Sequence, residues 1–224
     1  MNKKILFIIL FVCAFKANIH AQQKWDSAYR PGSYELMEGL YNSYPTSTKD
    51  IIFFGNSITA HVNWNELLNM PEALNRGISG DITFGLLERL NEVTEGHPAK
   101  VFILIGINDI SRNIPDSIIL ENDKKIIERI KEASPRTKIY FQTIMPVNNT
   151  FTQFKNHYNK DEHIKAVNEG LKKLANEEHI TLIDLHPHFL DSEGKLNKDY
   201  TMDGLHPNVK GYAIWKKILL PYLK

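Results

Sequence analysis

Four polar segments contain the residue types that nucleophilic attack on an ester requires. In chain order they hold Ser57, then Gly80, then Asn108, and finally Asp203 with His206. A serine hydroxyl is a poor nucleophile until a base takes its proton, and a histidine held in one tautomer by a carboxylate can act as that base. Asp203 and His206 are three residues apart, so the carboxylate can reach the imidazole. We predict Ser57 as the nucleophile, His206 as the general base and Asp203 as the residue that orients it.

The same segments offer donors for the negative charge that develops on the carbonyl oxygen of an ester. Backbone N–H groups at glycine turns and side-chain amides are suited to this task. We predict an oxyanion hole made of the backbone N–H groups of Ser57 and Gly80 and the side-chain amide of Asn108. Gly77 is an alternative to Gly80 as the second donor.

The elements that must position these residues can be predicted from hydrophobic periodicity. Short apolar runs predict five buried strands, at residues 50–55, 73–77, 101–106, 138–143 and 180–184. Amphipathic spacing predicts helices at residues 34–41, 82–93, 119–130, 164–174 and 209–219. Alternation of the two kinds of element predicts an α/β fold, with a five-stranded parallel sheet covered by helices on both faces.

The positions of the reactive residues agree with this fold. In open parallel sheets, ligands bind beyond the carboxyl ends of the strands. Ser57, Gly80 and Asn108 follow the first, second and third predicted strands, while Asp203 and His206 directly precede the last helix. We therefore expect all five residues to meet at one edge of the sheet.

The N-terminus has the pattern of a secretory signal peptide. Lys3 and Lys4 precede an apolar run at residues 5–15, which is shorter than the ~20 residues needed to span a bilayer. We predict a signal peptide at residues 1–21, cleaved after Ala21 or alternatively after Ala17; an N-terminal membrane anchor is the other reading. The predicted mature chain is a single domain, residues 22–224, exported to the periplasm or the medium, with no stable membrane span.

Charge and cysteine content exclude several classes of function. Residues 1–21 hold three lysines and no acid, so the mature chain would carry 24 basic and 26 acidic residues, a net charge of −2. This balance gives no indication of nucleic-acid binding, which needs a clustered basic face. Because Cys13 is the only cysteine, the mature chain can form neither disulfides nor thiolate metal sites. The expected partner is a small-molecule or carbohydrate ester, and the oligomeric state is left open.

The four segments together resemble the blocks of the SGNH, or GDSL, hydrolases. Ser57 lies in Gly-Asn-Ser-Ile-Thr, Gly80 in Gly-Ile-Ser-Gly-Asp, Asn108 in Gly-Ile-Asn-Asp, and Asp203 and His206 form Asp-x-x-His. The blocks occur in the order of the family and cover residues 51–210. The chain departs from many members at residue 56, where an asparagine replaces the aspartate and is predicted to cap the following helix.

This resemblance carries expectations about fold and activity. It implies a three-layer flavodoxin-like fold and a serine esterase that needs no metal or other cofactor. Residues 75–81 resemble the subgroup similar to platelet-activating-factor acetylhydrolase, which by analogy suggests removal of acetyl groups from sugars. The alternatives are a lysophospholipase or thioesterase acting on long acyl chains, and a non-catalytic carbohydrate-binding protein on the same fold.

Two further segments could contribute to the site. Asp184, His186 and His188 also combine an acid with histidines, but two histidines without a third ligand are weak grounds for a metal site, and we interpret Asp184 as structural. The segment at residues 145–158 follows the fourth strand and is rich in aromatic side chains. Those side chains either shape the acyl or alcohol pocket or only pack the segment against the domain.

Overall fold

Five parallel strands form the centre of the structure, a computed structural model that describes residues 25–224. The strands are β1 (Ile51–Gly55), β2 (Ala73–Gly77), β3 (Lys100–Leu104), β4 (Lys138–Gln142) and β5 (Thr181–Ile183). They lie in the order β2-β1-β3-β4-β5, and every neighbouring pair is parallel. The predicted five-stranded parallel sheet is therefore confirmed, with strand ends that differ from the prediction by at most two residues.

Helices connect the strands within the described part of the chain. They are α1 (Tyr34–Ser43), α2 (Ser57–Ala60), α3 (Trp64–Leu68), α4 (Thr83–Glu88), α5 (Asn91–Thr94), α6 (Ile107–Ser111), α7 (Asp116–Ala133), α8 (Asp161–Glu177) and α9 (Val209–Leu223). Four of the five predicted helices are found as single helices. The short helices α2, α3 and α6 were not predicted, because four or five residues are too few to show a helical period.

The helix predicted at residues 82–93 is wrong as a single element. The structure divides it into α4 and α5 at Arg89, whose backbone leaves helical geometry (φ −105°, ψ 24°). The fully buried guanidinium of Arg89 forms salt bridges with Asp81 and Glu92 and donates to the carbonyl oxygens of Gly55 and Arg76. These contacts coincide with the break, and the apolar spacing of the segment does not reveal them.

Alternate residues of each strand enter two separate apolar cores, one on each face of the sheet. In β1, Phe53 packs on one face with Trp64 and Trp215, while Phe54 packs on the other with Leu86 and helix α7. All of these side chains are fully buried. The two cores make the three layers that the resemblance implies, and they hold the ends of the strands at fixed positions.

The strand order creates a crevice between β1 and β3. From β1 the chain moves outward to β2 and then crosses back to β3 on the opposite side of β1. At such a switch point the connections leave the two central strands in opposite directions, and ligands bind in the gap at the carboxyl ends. Ser57 follows β1 and Asn108 follows β3, so the sequence places chemistry at both sides of this crevice.

The predicted signal peptide and its cleavage sites lie outside the described residues. Within residues 25–224, no helix has both the length and the apolar character needed to cross a membrane.

Candidate active site

Ser57 is positioned by a tight connection from strand to helix. It is the first residue of α2, and the side chain of Asn56 caps this helix by accepting a hydrogen bond from Ile58 N at 3.0 Å, as the sequence predicts. At Gly55, any side chain would clash with the backbone of β3 at Leu104. The Ser57 N–H belongs to the first turn and so has no acceptor within its own helix.

Ser57, His206 and Asp203 form a continuous hydrogen-bonded chain. Ser57 Oγ lies 2.9 Å from His206 Nε2, and His206 Nδ1 lies 2.8 Å from Asp203 Oδ2. The first contact joins residues 149 positions apart, and both Ser57 and His206 are buried. The structure thus brings together the three residues predicted for nucleophile, base and orienting acid.

A tight turn before α9 fixes the orientation of His206. Asp203 Oδ1 accepts hydrogen bonds from the backbone N–H groups of Leu205 and His206, at 2.9 and 2.8 Å. Gly204 adopts φ +80°, and a side chain there would clash with the carbonyl oxygen of Asn148. The carboxylate therefore holds the backbone of the turn with one oxygen and the imidazole with the other.

The environment of Asp203 favours its ionised form. Partial burial alone would raise the pKa of this carboxyl, but the hydrogen bonds from the His206 backbone and ring and from Leu205 outweigh it and lower the pKa. A carboxylate that keeps its charge can hold the proton of His206 on Nδ1 and leave Nε2 as the acceptor.

Gly80 and Asn108 line the same cavity as Ser57 and His206. Gly80 has φ +85°, a conformation that favours glycine. The Asn108 side chain donates from Nδ2 to the carbonyl oxygen of Asp81 at 2.9 Å, and its Oδ1 lies 2.9 Å from His157 Nε2. An amide nitrogen carries two hydrogens, so the contact with Asp81 leaves a second N–H of Asn108 to donate.

Gly77, the alternative to Gly80, has a different task. Its N–H donates to the side chain of Asn75 at 2.8 Å, and a side chain at Gly77 would clash with the backbone of Ala60 in α2. The glycine permits close approach of β2 and α2, and its engaged N–H leaves Gly80 as the better-placed donor.

The cavity has a volume of about 370 Å³ and includes several residues that the sequence did not single out. They are Tyr29, Pro31, His61, Ser111, Arg112, Leu205 and His157. The His61 ring lies 4.8 Å from that of His206, and burial together with His206 lowers the pKa of His61. No periodicity or spacing distinguishes these residues, because they reach the cavity from the lead-in segment before α1 (residues 25–33), from helix ends and from irregular segments.

The aromatic side chains of residues 145–158 do not all have the same environment, because one lines the cavity and others pack in the core. Phe154 lines the cavity, with its ring edge-on to the His206 ring at a centroid distance of 5.0 Å. Met145 and Tyr158 are buried in the core, and Tyr158 Oη donates to the carbonyl oxygen of Asp203 at 2.5 Å. One side of the segment therefore shapes the cavity while the other supports the turn that carries His206.

The second acid–histidine cluster lies apart from this site. Asp184 accepts a hydrogen bond from Thr143 Oγ1 at 2.9 Å, and His186 Nδ1 lies 2.9 Å from the carbonyl oxygen of Ile144. Both residues line a separate cavity with Lys165 and Lys172. Across residues 25–224, no group of three histidine, cysteine, aspartate or glutamate side chains is arranged to hold a metal ion.

A buried carboxyl supports the segment that carries Asn108. Asp109 is fully buried and accepts hydrogen bonds from Thr83 N and, at 2.6 Å, from Thr83 Oγ1. Burial, with a smaller contribution from the neighbouring Asp81, raises the pKa of Asp109 to about 7, although the hydrogen bonds from Thr83 oppose the shift. Burial also raises the pKa values of Asp81, Glu92 and Asp123.

We expect these carboxyls to make the protein less stable as pH rises. Between about pH 4 and pH 7 the native state keeps a proton on Asp109 that the unfolded chain has lost, so the free energy of unfolding falls there, by up to ~1.4 kcal/mol per pH unit. Asp109→Asn should reduce this slope. Urea unfolding at pH 5, 6, 7 and 8 measures it, with the exposed Asp199→Asn as control; equal slopes in wild type and Asp109→Asn would contradict the prediction.

Comparisons with known proteins agree in family and in fold. The model of the GDSL-like lipase/acylhydrolase family matches residues 53–214. The alpha2 subunit of platelet-activating factor acetylhydrolase IB from Rattus norvegicus is 27% identical over 170 residues, covering 73% of this chain and 71% of the rat protein. A solved structure from Streptococcus pneumonia, described as a candidate platelet activating factor, is 32% identical with a TM-score of 0.80, covering 86% of this chain and 93% of that one. A GDSL-like lipase from Bacteroides thetaiotaomicron shares the fold, with a TM-score of 0.74 at 23% identity, over 85% and 96% of the two chains.

Proposed function

This chain belongs to the GDSL-like lipase/acylhydrolase family of ester-hydrolysing enzymes, and we propose that it cleaves small acyl esters, chiefly acetyl esters, through Ser57. The family membership sets aside the alternative of a non-catalytic carbohydrate-binding protein. The observation that carries the proposal is the unbroken chain of hydrogen bonds from Ser57 Oγ through His206 to Asp203, at 2.9 and 2.8 Å.

In the proposed reaction, His206 moves one proton at each stage. Its Nε2 takes the proton of Ser57 as Oγ attacks the ester carbonyl, and the same proton then passes to the departing alcohol. The acyl group remains on Ser57 Oγ until a water molecule, deprotonated by His206, attacks the acyl carbonyl carbon. The bond to Oγ then breaks, Oγ takes the proton back from His206, and the acid is released. Asp203 stays ionised and stabilises the imidazolium that forms in both stages.

The oxyanion of each tetrahedral intermediate is proposed to lie between Ser57, Gly80 and Asn108. The donors would be the backbone N–H groups of Ser57 and Gly80 and the remaining N–H of the Asn108 amide. All three residues line one cavity. Donors fixed before the charge appears stabilise the transition state more than donors that must reorient.

Crowding beside Gly80 supports a preference for a short acyl group. A carbon placed on Gly80 Cα would lie 3.2 Å from Pro31 Cβ and 3.5 Å from Tyr29 Oη. The lead-in segment therefore closes the space next to a proposed oxyanion donor. Acetyl groups are also the acyl groups named for the acetylhydrolase relatives.

For the alcohol half we propose an acetylated carbohydrate. The cavity lining combines hydroxyl, imidazole and guanidinium groups with the aromatic rings of Tyr29 and Phe154. Such a mixture suits a sugar, which presents hydroxyls at its edge and C–H groups on its face. A solved structure with the same fold, at 22% identity and a TM-score of 0.67, is described as an acetyl xylan esterase.

A series of 4-nitrophenyl esters from C2 to C10 tests the acyl preference. We expect kcat/KM to be greatest for the acetyl ester and to fall with chain length, because Tyr29 and Pro31 leave little room beside Gly80. Tyr29→Ala should shift the optimum toward longer chains. A wild-type optimum beyond C8 would instead support the long-chain lysophospholipase or thioesterase alternative. Release of acetate from acetylated oligosaccharides tests the alcohol half in the same preparation.

A further inference from the structure

His157 contacts Asn108, the proposed oxyanion donor, but is not itself proposed to contact the reacting atoms. It lies in the irregular segment between β4 and α8, 49 residues from Asn108, and its Nε2 is 2.9 Å from Asn108 Oδ1. None of the motifs that carry the family resemblance includes His157. The contact between His157 and Asn108 therefore depends on the conformation of the segment between β4 and α8 in this chain.

The Asn108 amide can be held in one orientation by its two contacts. The carbonyl oxygen of Asp81 can only accept, so the amide end facing it must be Nδ2, at 2.9 Å. The opposite end is then Oδ1, which needs a donor and finds one in His157 Nε2 if that nitrogen carries the proton. With both ends engaged, rotation of the amide would break two hydrogen bonds at once.

His157 is suited to act as a neutral donor. Burial, together with the nearby His206 and Arg112, lowers its pKa to about 4, while Asp203 opposes the shift. At neutral pH the ring is uncharged, so it adds no positive charge that would resist protonation of His206. It can still donate from Nε2, because a neutral imidazole keeps one N–H.

The segment that carries His157 is braced against the same catalytic turn. The Phe154 ring lies edge-on to the His157 ring, with centroids 5.8 Å apart, and edge-on to the His206 ring. His157 N also donates to the carbonyl oxygen of Phe154 at 2.8 Å. The imidazole is thus held by local bonds and by packing, as a residue that positions another must be.

We propose that His157 is a positioning residue that holds the Asn108 amide so that its second N–H faces the developing oxyanion. This inference rests on the proposed function, because it assumes that Asn108 donates to the oxyanion. Its effect should appear in kcat more than in KM, since oxyanion donors act mainly in the transition state.

Two substitutions separate the hydrogen bond from the packing of the ring. His157→Phe keeps an aromatic ring beside Phe154 but has no donor, whereas His157→Gln keeps a donor without the ring. We expect His157→Phe to lower kcat on 4-nitrophenyl acetate about tenfold, the factor equivalent to ~1.4 kcal/mol, with KM within about twofold of wild type. His157→Gln should recover most of kcat. The reverse ranking, with phenylalanine active and glutamine impaired, would overturn the proposal in favour of a packing role.

A double-mutant cycle with Asn108→Ala gives the decisive measurement. Asn108→Ala alone should lower kcat about 10²- to 10³-fold, and adding His157→Phe should then cost less than about twofold more. Equal losses in both backgrounds would overturn the inference about His157 while leaving the role of Asn108 intact. An Asn108→Ala enzyme with full activity would overturn the oxyanion proposal itself. The matched control is His163→Ala, which removes an exposed histidine hydrogen-bonded to Asp116 and should not change kcat.

Discussion

Ser57→Ala is expected to abolish ester turnover while leaving the fold intact, with kcat lower by about 10⁶-fold. The substitution removes the only atom proposed to form a bond with the acyl group. It should not disturb α2, because the cap of that helix is the side chain of Asn56 and the hydroxyl of Ser57 contacts His206 Nε2. Hydrolysis of 4-nitrophenyl acetate measures the loss of turnover, and circular dichroism with a thermal unfolding curve checks that the fold is intact.

Covalent labelling tests the assignment of Ser57 as the nucleophile without requiring knowledge of the substrate. A fluorophosphonate probe should add its mass once to the wild-type chain and not to Ser57→Ala, because the activated serine is the group it modifies. Ser117→Ala is a suitable control, since that serine is exposed at the start of α7 and should leave both turnover and labelling unchanged. Turnover retained in a folded Ser57→Ala protein would refute the assignment of the nucleophile.

The parts of the fold that could be predicted from the sequence are those marked by short patterns of apolar and polar residues along the chain. The apolar runs of β1 and β3 are buried at every residue, so composition alone marks them. Because parallel strands bring their carboxyl ends to one edge, the positions of Ser57 and Asn108 after two strands were enough to predict that they meet. The pairing of Asp203 with His206 could be predicted for a simpler reason, because the acid and the base are only three residues apart in the chain.

The parts that were missed depend on contacts between distant residues. The contact of His157 with Asn108 spans 49 positions, and no spacing rule connects an irregular segment to a particular amide. Tyr29 reaches the cavity from the lead-in segment, where polar composition carried no periodic signal. The break of the predicted helix at Arg89 coincides with buried contacts of its guanidinium, one of which reaches the carbonyl oxygen of Gly55 in β1, 34 positions away. In each case the contact is determined by how distant parts of the chain fold together and not by the sequence around the residue.

The residues that could be predicted and those that were missed have different proposed roles in the site. Ser57, His206 and Asp203 can supply the chemistry common to serine esterases, and the end of β1 and the turn before α9 bring them together. Residues such as Tyr29 and His157 surround that chemistry and can set which ester enters and how firmly the oxyanion donors are held. We therefore propose that substrate choice depends most on the segments whose conformation was hardest to predict.

Asp203→Asn is expected to lower kcat by about 10⁴-fold, although the substitution changes only one atom of the side chain. Asp203 Oδ1 already accepts from the N–H groups of Leu205 and His206, and these donors will retain the amide oxygen of the variant. The amide nitrogen must then face His206 Nδ1, where a carboxylate oxygen lies at 2.8 Å in the wild type. Because an amide N–H donates, Nδ1 becomes the acceptor and the ring proton moves to Nε2. A protonated Nε2 cannot take the proton of Ser57.

A matched control isolates this tautomer effect from loss of the turn. Asp191 also accepts two backbone N–H groups with one oxygen, from Glu193 and Lys195 at 2.8 and 2.9 Å, but its turn contacts no residue of the proposed triad. Asp191→Asn should therefore leave kcat unchanged, whereas Asp203→Asn should slow both turnover and fluorophosphonate labelling with little change in melting temperature. If Asp203→Asn retained nearly full kcat, the carboxylate would not set the tautomer of His206, and the proposed role of Asp203 would be wrong.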